Sequence, residues 1–140
     1  MRRVVSCLVF LVICGAATAQ DLAKLRGEVL RCDMTDKGRG GFVSDVMFFA
    51  IDHNRSQAMA LDELLFFIHE GAIPVDTRKR GNGSWLFRWR VDDIPTTNAG
   101  DVSITFRASL NAKTDAVQLS GTMHGYDNRI TGRGTCKKVS

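Results

Sequence analysis

The chain reads as an all-β domain: a small antiparallel up-and-down (meander) barrel of eight to nine strands, with its first and last strands linked by a disulfide. Three observations predict it. Two consecutive segments alternate apolar and polar residues at period two, a pattern that no helical face satisfies. Strand candidates recur at intervals of roughly 8–12 residues between turn signals, the rhythm of a sandwich or barrel. Cys32 and Cys136 fall in the first and last of these candidates.

Composition bounds the problem. With 140 residues, 44% hydrophobic and 24% charged, the chain suits one soluble domain and excludes a disordered or polytopic membrane protein. Arg2 and Arg3, the apolar run Val4–Ile13 and the small residues of Ala17-Thr18-Ala19 have the three-part layout of a secretory signal peptide. The predicted organisation is therefore a signal peptide over 1–19, cleaved before Gln20, and one barrel domain over 20–140. The apolar run is short of the roughly 20 residues of a membrane span, and the mature chain contains no other candidate. Cys14 invites a lipoprotein reading, but Ile13 is not the small residue that such processing requires. The expected location is periplasmic or secreted.

Cleavage would remove Arg2 and Arg3 and so halve the formal net charge of +4. The basic balance is then no argument for nucleic acid, which calls for charge concentrated on one face. Cys7 and Cys14 leave with the leader. The remaining pair predicts one disulfide in an oxidising compartment. Zinc would need more ligands than two distant cysteines offer. Bonded cysteines need α-carbons within about 7 Å. A closed meander brings its first and last strands together, whereas an open sheet places them at opposite edges; a sandwich could also join them.

The elements follow in order. Leu25–Asp33 is the first strand, with Leu30 and Cys32 on one face. Met47–Ile51 is apolar on both faces and is followed by a turn over Asp52–Ser56. Gln57–Glu70 contains good helix formers, with Gly71 as a candidate cap. The compact apolar run Leu64–Ile68 instead favours two short strands broken near Asp62. Ile73, Val75 and Thr77 alternate, as do Trp85, Phe87, Trp89 and Val91. A three-residue Gly81-Asn82-Gly83 loop, with Gly83 left-handed, sets Val75 beside Trp89 and Asp76 beside Arg88; a two-residue Asn-Gly turn would mismatch them. Asp92–Asp101 reads as the longest loop. Val102–Leu110 and Val117–Met123 are the clearest strands. Pairing Asn111 with Ala116 sets Leu110 opposite Val117 and Phe106 opposite Gly121. Arg129–Lys137 is the last strand, with Ile130, Gly132, Gly134 and Cys136 on one face.

Little here carries catalytic chemistry. His53, His69 and His124 share no metal-ligand spacing, and the sequence has no nucleophile elbow, phosphate loop or His-Glu-x-x-His pattern. Asp62-Glu63 and Asp92-Asp93 read as solvated turn or loop acids. The expectation is a non-enzyme, with no cofactor, no metal and no nucleic-acid partner. Two candidate contact regions remain. Trp85, Phe87, Trp89 and Phe106 share an inner face with Gly121, Gly132 and Gly134; they either pack together or line a cavity for a small apolar ligand. Arg78, Lys79, Arg80, Arg88, Arg90 and Arg107 could form a basic stripe for an anionic envelope glycan or an acidic protein.

The stretch Gly121-Thr122-Met123-His124-Gly125-Tyr126-Asp127-Asn128, followed by Gly132-Arg133-Gly134-Thr135-Cys136, resembles the carboxyl end of an uncharacterised family of small exported alphaproteobacterial proteins. That resemblance implies export and brings no activity or catalytic residue with it. More loosely, the layout is similar to the periplasmic metalloprotease inhibitors, which are eight-stranded barrels with one disulfide. The inhibitors act through an amino-terminal segment, where this chain has only the short Gln20–Leu25, and their cysteines lie closer in sequence. The sequence thus predicts an exported binding or structural module, holding an apolar ligand in its barrel or serving the envelope. Binding a protein partner, as such an inhibitor does, is the alternative.

Overall fold

Alternation governs the wall of the molecule. A computed structural model describes residues 27–139; the segment 1–19, assigned to a signal peptide, lies outside the described residues. The elements are β1 (Glu28–Asp36), β2 (Val46–Asp52), β3 (Gln57–Asp62), α1 (Glu63–His69), β4 (Ile73–Lys79), β5 (Trp85–Thr96), β6 (Gly100–Leu110), β7 (Ala116–Met123) and β8 (Arg129–Lys138). Each strand pairs antiparallel with its chain neighbours, and β1 also pairs with β8, so the eight strands close into a barrel.

The period-two pattern fixes register as expected. Leu110 faces Val117, Ala108 faces Leu119 and Phe106 faces Gly121. Asp76 faces Arg88 on β4–β5. The connection there is the three-residue loop: Arg80 N–H donates to the Ser84 carbonyl at 2.8 Å, and Gly83 has φ +83°. Glycine supplies that left-handed geometry without steric cost.

Three segments depart from the sequence reading. Gln57–Glu70 is not two strands: its first half is β3 and its second half is α1. Asp62 accepts a hydrogen bond from Leu65 N–H at 2.8 Å and caps the helix start. The helix ends at Glu70, itself left-handed at φ 58°, and not at Gly71. A helix buries Leu65 against the barrel and leaves Leu64 and Ile68 partly covered, which a short strand pair could not do without an edge. Asp92–Asp101 is not a loop but most of a hairpin. Val91 pairs with Ile104 and Ile94 with Val102, so Asp92-Asp93 forms a bulge opposite Ser103, with Asp93 at φ 55°. The first strand starts at Glu28 and runs on to Asp36, past the expected end at Asp33.

The disulfide joins Cys32 and Cys136, Cα partners across β1 and β8 with α-carbons 3.8 Å apart. It closes a separation of 104 residues, for which chain entropy gives about 4–5 kcal/mol of stabilisation. One barrel end is closed by Trp85, with His53 edge-on at 5.4 Å and the Lys79 ammonium 5.6 Å above its ring. The other end is covered by α1 and by Val43 from the β1–β2 loop, both part of the core.

Candidate functional site

The interior ring cluster comes first. Trp85, Phe87, Trp89 and Phe106 are all buried on the inner face. Phe49, from β2, joins them, stacked on Phe87 with centroids 4.5 Å apart and edge-on to Trp89 at 5.9 Å. Trp89 stacks on Phe106 at 5.5 Å, and Trp85 on Phe87 at 6.4 Å. These rings cover each other's faces. Phe49 shares inward parity with Met47 and Ile51, but Met47–Ile51 is apolar on both faces, so alternation alone does not separate it from Phe48. The three glycines divide. Gly121 lies beside Phe106, where an added Cβ would stand 3.2 Å from its ring. Gly132 lies beside Met34 and Val43, and Gly134 against the backbone of β1, so these two are not part of the ring cluster.

The basic residues scatter more than their sequence spacing suggests. Arg88 and Arg107 are direct cross-strand partners on the exposed outer face. Arg78, opposite Leu86, shares that outward parity. Lys79 does not, because it lies over Trp85 at the barrel end. Arg80 belongs to the hairpin loop. Arg90 donates from Nε to Asp92 Oδ1 at 2.7 Å. Hydrogen bonds from Ser103 and then Arg90 hold the exposed Asp92 carboxyl below its ordinary range. Arg129 and Arg133 of β8 were not counted in the stripe. Their parity opposite Ile130 and Cys136 places them on the same outer surface.

A third region was not foreseen. Phe66 and Phe67 of α1 are 50% and 68% exposed. They stand over an open cleft of about 860 Å³ whose lining also includes Val43, Leu64, Lys37, Asp45, Glu63 and Glu70. A neighbouring cleft of about 390 Å³ shares Phe66 and continues down the outer wall past Phe48 and Leu61, cross-strand partners on β2 and β3. The cause is local. The segment Leu64–Ile68 is wholly apolar, and a one-sided helix can bury only one stripe of it. Lys37 is ion-paired with Asp45, which leaves Glu63 and Glu70 as the cleft's uncompensated charges among the described residues. Asp62, expected to be solvated, is buried. Desolvation pushes its carboxyl above the ordinary value of 3.8, against hydrogen bonds from Leu65 N–H and Ser44.

Among the described residues no three His, Cys, Asp or Glu side chains group as metal ligands, and no helix is long and apolar enough to cross a membrane. Compared with protein-family models, curated proteins and solved structures, the chain matches none.

Proposed function

We propose that this chain is an exported, non-enzymatic recognition module that holds a segment of a partner protein at its α1 end. The leader-like sequence of residues 1–19 and the Cys32–Cys136 bond support an oxidising compartment. The observation that carries the reading is the pair of adjacent exposed phenylalanines on α1, continuous with Phe48 and Leu61. Soluble surfaces tolerate scattered apolar residues; a contiguous apolar patch rimmed by polar groups marks an interaction site. Glu63 and Glu70 at the rim specify the occupant's chemistry: an apolar side chain flanked by lysine or arginine. The stacked rings inside the barrel support packing over an internal ligand, because Phe49 and Trp89 already occupy the faces that a ligand would use.

Selection of a displayed random-peptide library against the mature chain tests this. The expected result is enrichment of peptides with a large apolar residue beside Lys or Arg. Their affinity falls about tenfold or more in the double variant F66S/F67S, the loss of a hot-spot aromatic pair, and by less in E63Q/E70Q. Enriched peptides that bind the double variant as well as the parent would defeat the reading.

A further inference from the structure

The outer wall of β6, β7 and β8 has a second, chemically different feature. Ser120 of β7 has Arg107 directly opposite on β6 and Thr131 directly opposite on β8. Arg129 and Arg133 lie two residues to either side of Thr131. Diagonal neighbours of this kind are about 7–8 Å apart, within reach of an arginine side chain. Three long guanidinium arms therefore surround a floor of short hydroxyl side chains. Between them runs a furrow of about 360 Å³, also lined by Gln118.

The cations of this furrow stand without a carboxylate partner among the described residues. Arg31, Lys37, Arg55 and Arg90 each have a carboxylate partner. Among the described residues Arg107, Arg129 and Arg133 have none. Asp36 is the Cα partner of Arg133, but its carboxylate accepts from Gly38 N–H at 3.0 Å. Arg88, which has Asp76 opposite it on β4, stands directly opposite Arg107 on its other side. Like charges facing each other across strands destabilise a sheet, so stability does not account for this arrangement.

We propose that the furrow binds a sulfate or phosphate ester carried on a saccharide. A guanidinium presents paired N–H donors that match a tetrahedral oxyanion, and three of them converge on one floor. Ser120 donates from below. Thr131 and Gln118 offer neutral donors and acceptors for neighbouring sugar hydroxyls. None of the lining residues is aromatic, and a single-stranded nucleic acid would need rings on which to stack its bases. The furrow shares no lining residue with the α1 clefts, although Thr131 adjoins Gly38 of the larger one, and its proposal does not rest on the docking site proposed there.

Calorimetric titration of the mature chain at low salt tests the proposal with four probes: a sulfated tetrasaccharide, the same tetrasaccharide without sulfate, inorganic sulfate, and a charge-matched single-stranded oligonucleotide. The sulfated tetrasaccharide should bind about tenfold or more tightly than each of the others, as charge-assisted bonds plus sugar contacts require. The variant R107Q/R129Q/R133Q should lose that advantage while matching or exceeding the parent's thermal midpoint, because it relieves the Arg88–Arg107 repulsion. Should that variant fold poorly, R107K/R129K/R133K retains the charge, loses the fork, and should bind several-fold more weakly than the parent. Inorganic sulfate or the oligonucleotide binding as tightly as the sulfated sugar would overturn the proposal. So would unchanged affinity in either variant.

Discussion

Five rings, from Phe49, Trp85, Phe87, Trp89 and Phe106, fill the side of the interior bounded by β2, β5 and β6. The inward face of β8, by contrast, offers only Ile130, Gly132, Gly134 and Cys136. An eight-stranded barrel has room for side chains and little else, so volume spent on one side must be saved on the other. The two halves also differ in what limits them. Side chain packs on side chain in the ring half. In the glycine half, backbone approaches backbone: an added Cβ at Gly134 would stand 2.3 Å from the Asp33 carbonyl oxygen. The halves have different lids as well, Leu65 of α1 packing on the core beside β3 and β5, and Val43 beside Gly132.

The ring half should give the largest effect. Phe87 is fully buried and stacks on Phe49. Phe87→Ala removes a side chain whose loss costs about 3–5 kcal/mol, because the neighbouring rings collapse only partly into the gap. Urea unfolding with the disulfide intact measures it. A loss below about 1 kcal/mol would mean that this half is loosely filled, and would reopen the interior to an apolar ligand.

The glycine half should fail by overpacking. Gly134→Ala places a methyl group against the Asp33 carbonyl oxygen and the Met34 α-carbon. Main chain cannot rotate away, and the Cys32–Cys136 bond two residues on ties the same strands together. The expected loss is about 1–3 kcal/mol. Gly121→Ala is the internal control. Its nearest neighbours are side-chain atoms of Ile130, Ile104 and Phe106 at 3.1–3.2 Å, which can shift by tenths of an ångström, so its cost should be the smaller. The reverse order would place the tight seam on β7 and not at the β1–β8 closure.

This contrast also marks how far the sequence could be read. Inward and outward parity along β4–β8 was legible outside Asp92–Asp101, where the bulge at Asp92-Asp93 breaks the alternation; five apolar residues alternating over Val102–Leu110 admit one register. The closure was legible from Cys32 and Cys136. The glycines were legible as inner residues but not by neighbour: period two assigns Gly132 to a face, and it cannot say that Met34 and Val43 stand across from it. The α1 site was hidden for a related reason. Leu64–Ile68 has no polar interruptions, so neither period is visible in it, and only the Asp62 cap decides for a helix. Arg129 and Arg133 could have been found by carrying the outward parity of β6 across to β8. Sequence proximity to the Gly81-Asn82-Gly83 hairpin favoured Lys79, which lies over Trp85, and Arg80, at the base of the hairpin loop.

The smallest effect concerns the lid of the ring half and depends on pH. Burial raises the Asp62 carboxyl above 3.8, so the folded chain holds that proton more tightly than the unfolded chain does. Its contribution to stability is therefore fullest below pH 3.8 and declines as pH rises through the raised value. Asp92 has the opposite sign. Its lowered value makes a contribution that is present above 3.8 and is lost as pH falls through the folded value. Asp62→Asn keeps an oxygen to accept from Leu65 N–H and removes the buried charge. It should match the parent near pH 3 and equal or exceed it at pH 7. Asp62→Ala loses the cap at every pH, a cost of about 1 kcal/mol. Urea midpoints of the three proteins between pH 3 and 7 separate charge from cap. An Asn variant that weakens as pH rises, relative to the parent, would mean that the Leu65 N–H and Ser44 hydrogen bonds to the carboxylate outweigh its desolvation. The ring half would then be roofed by a charged cap that stabilises it.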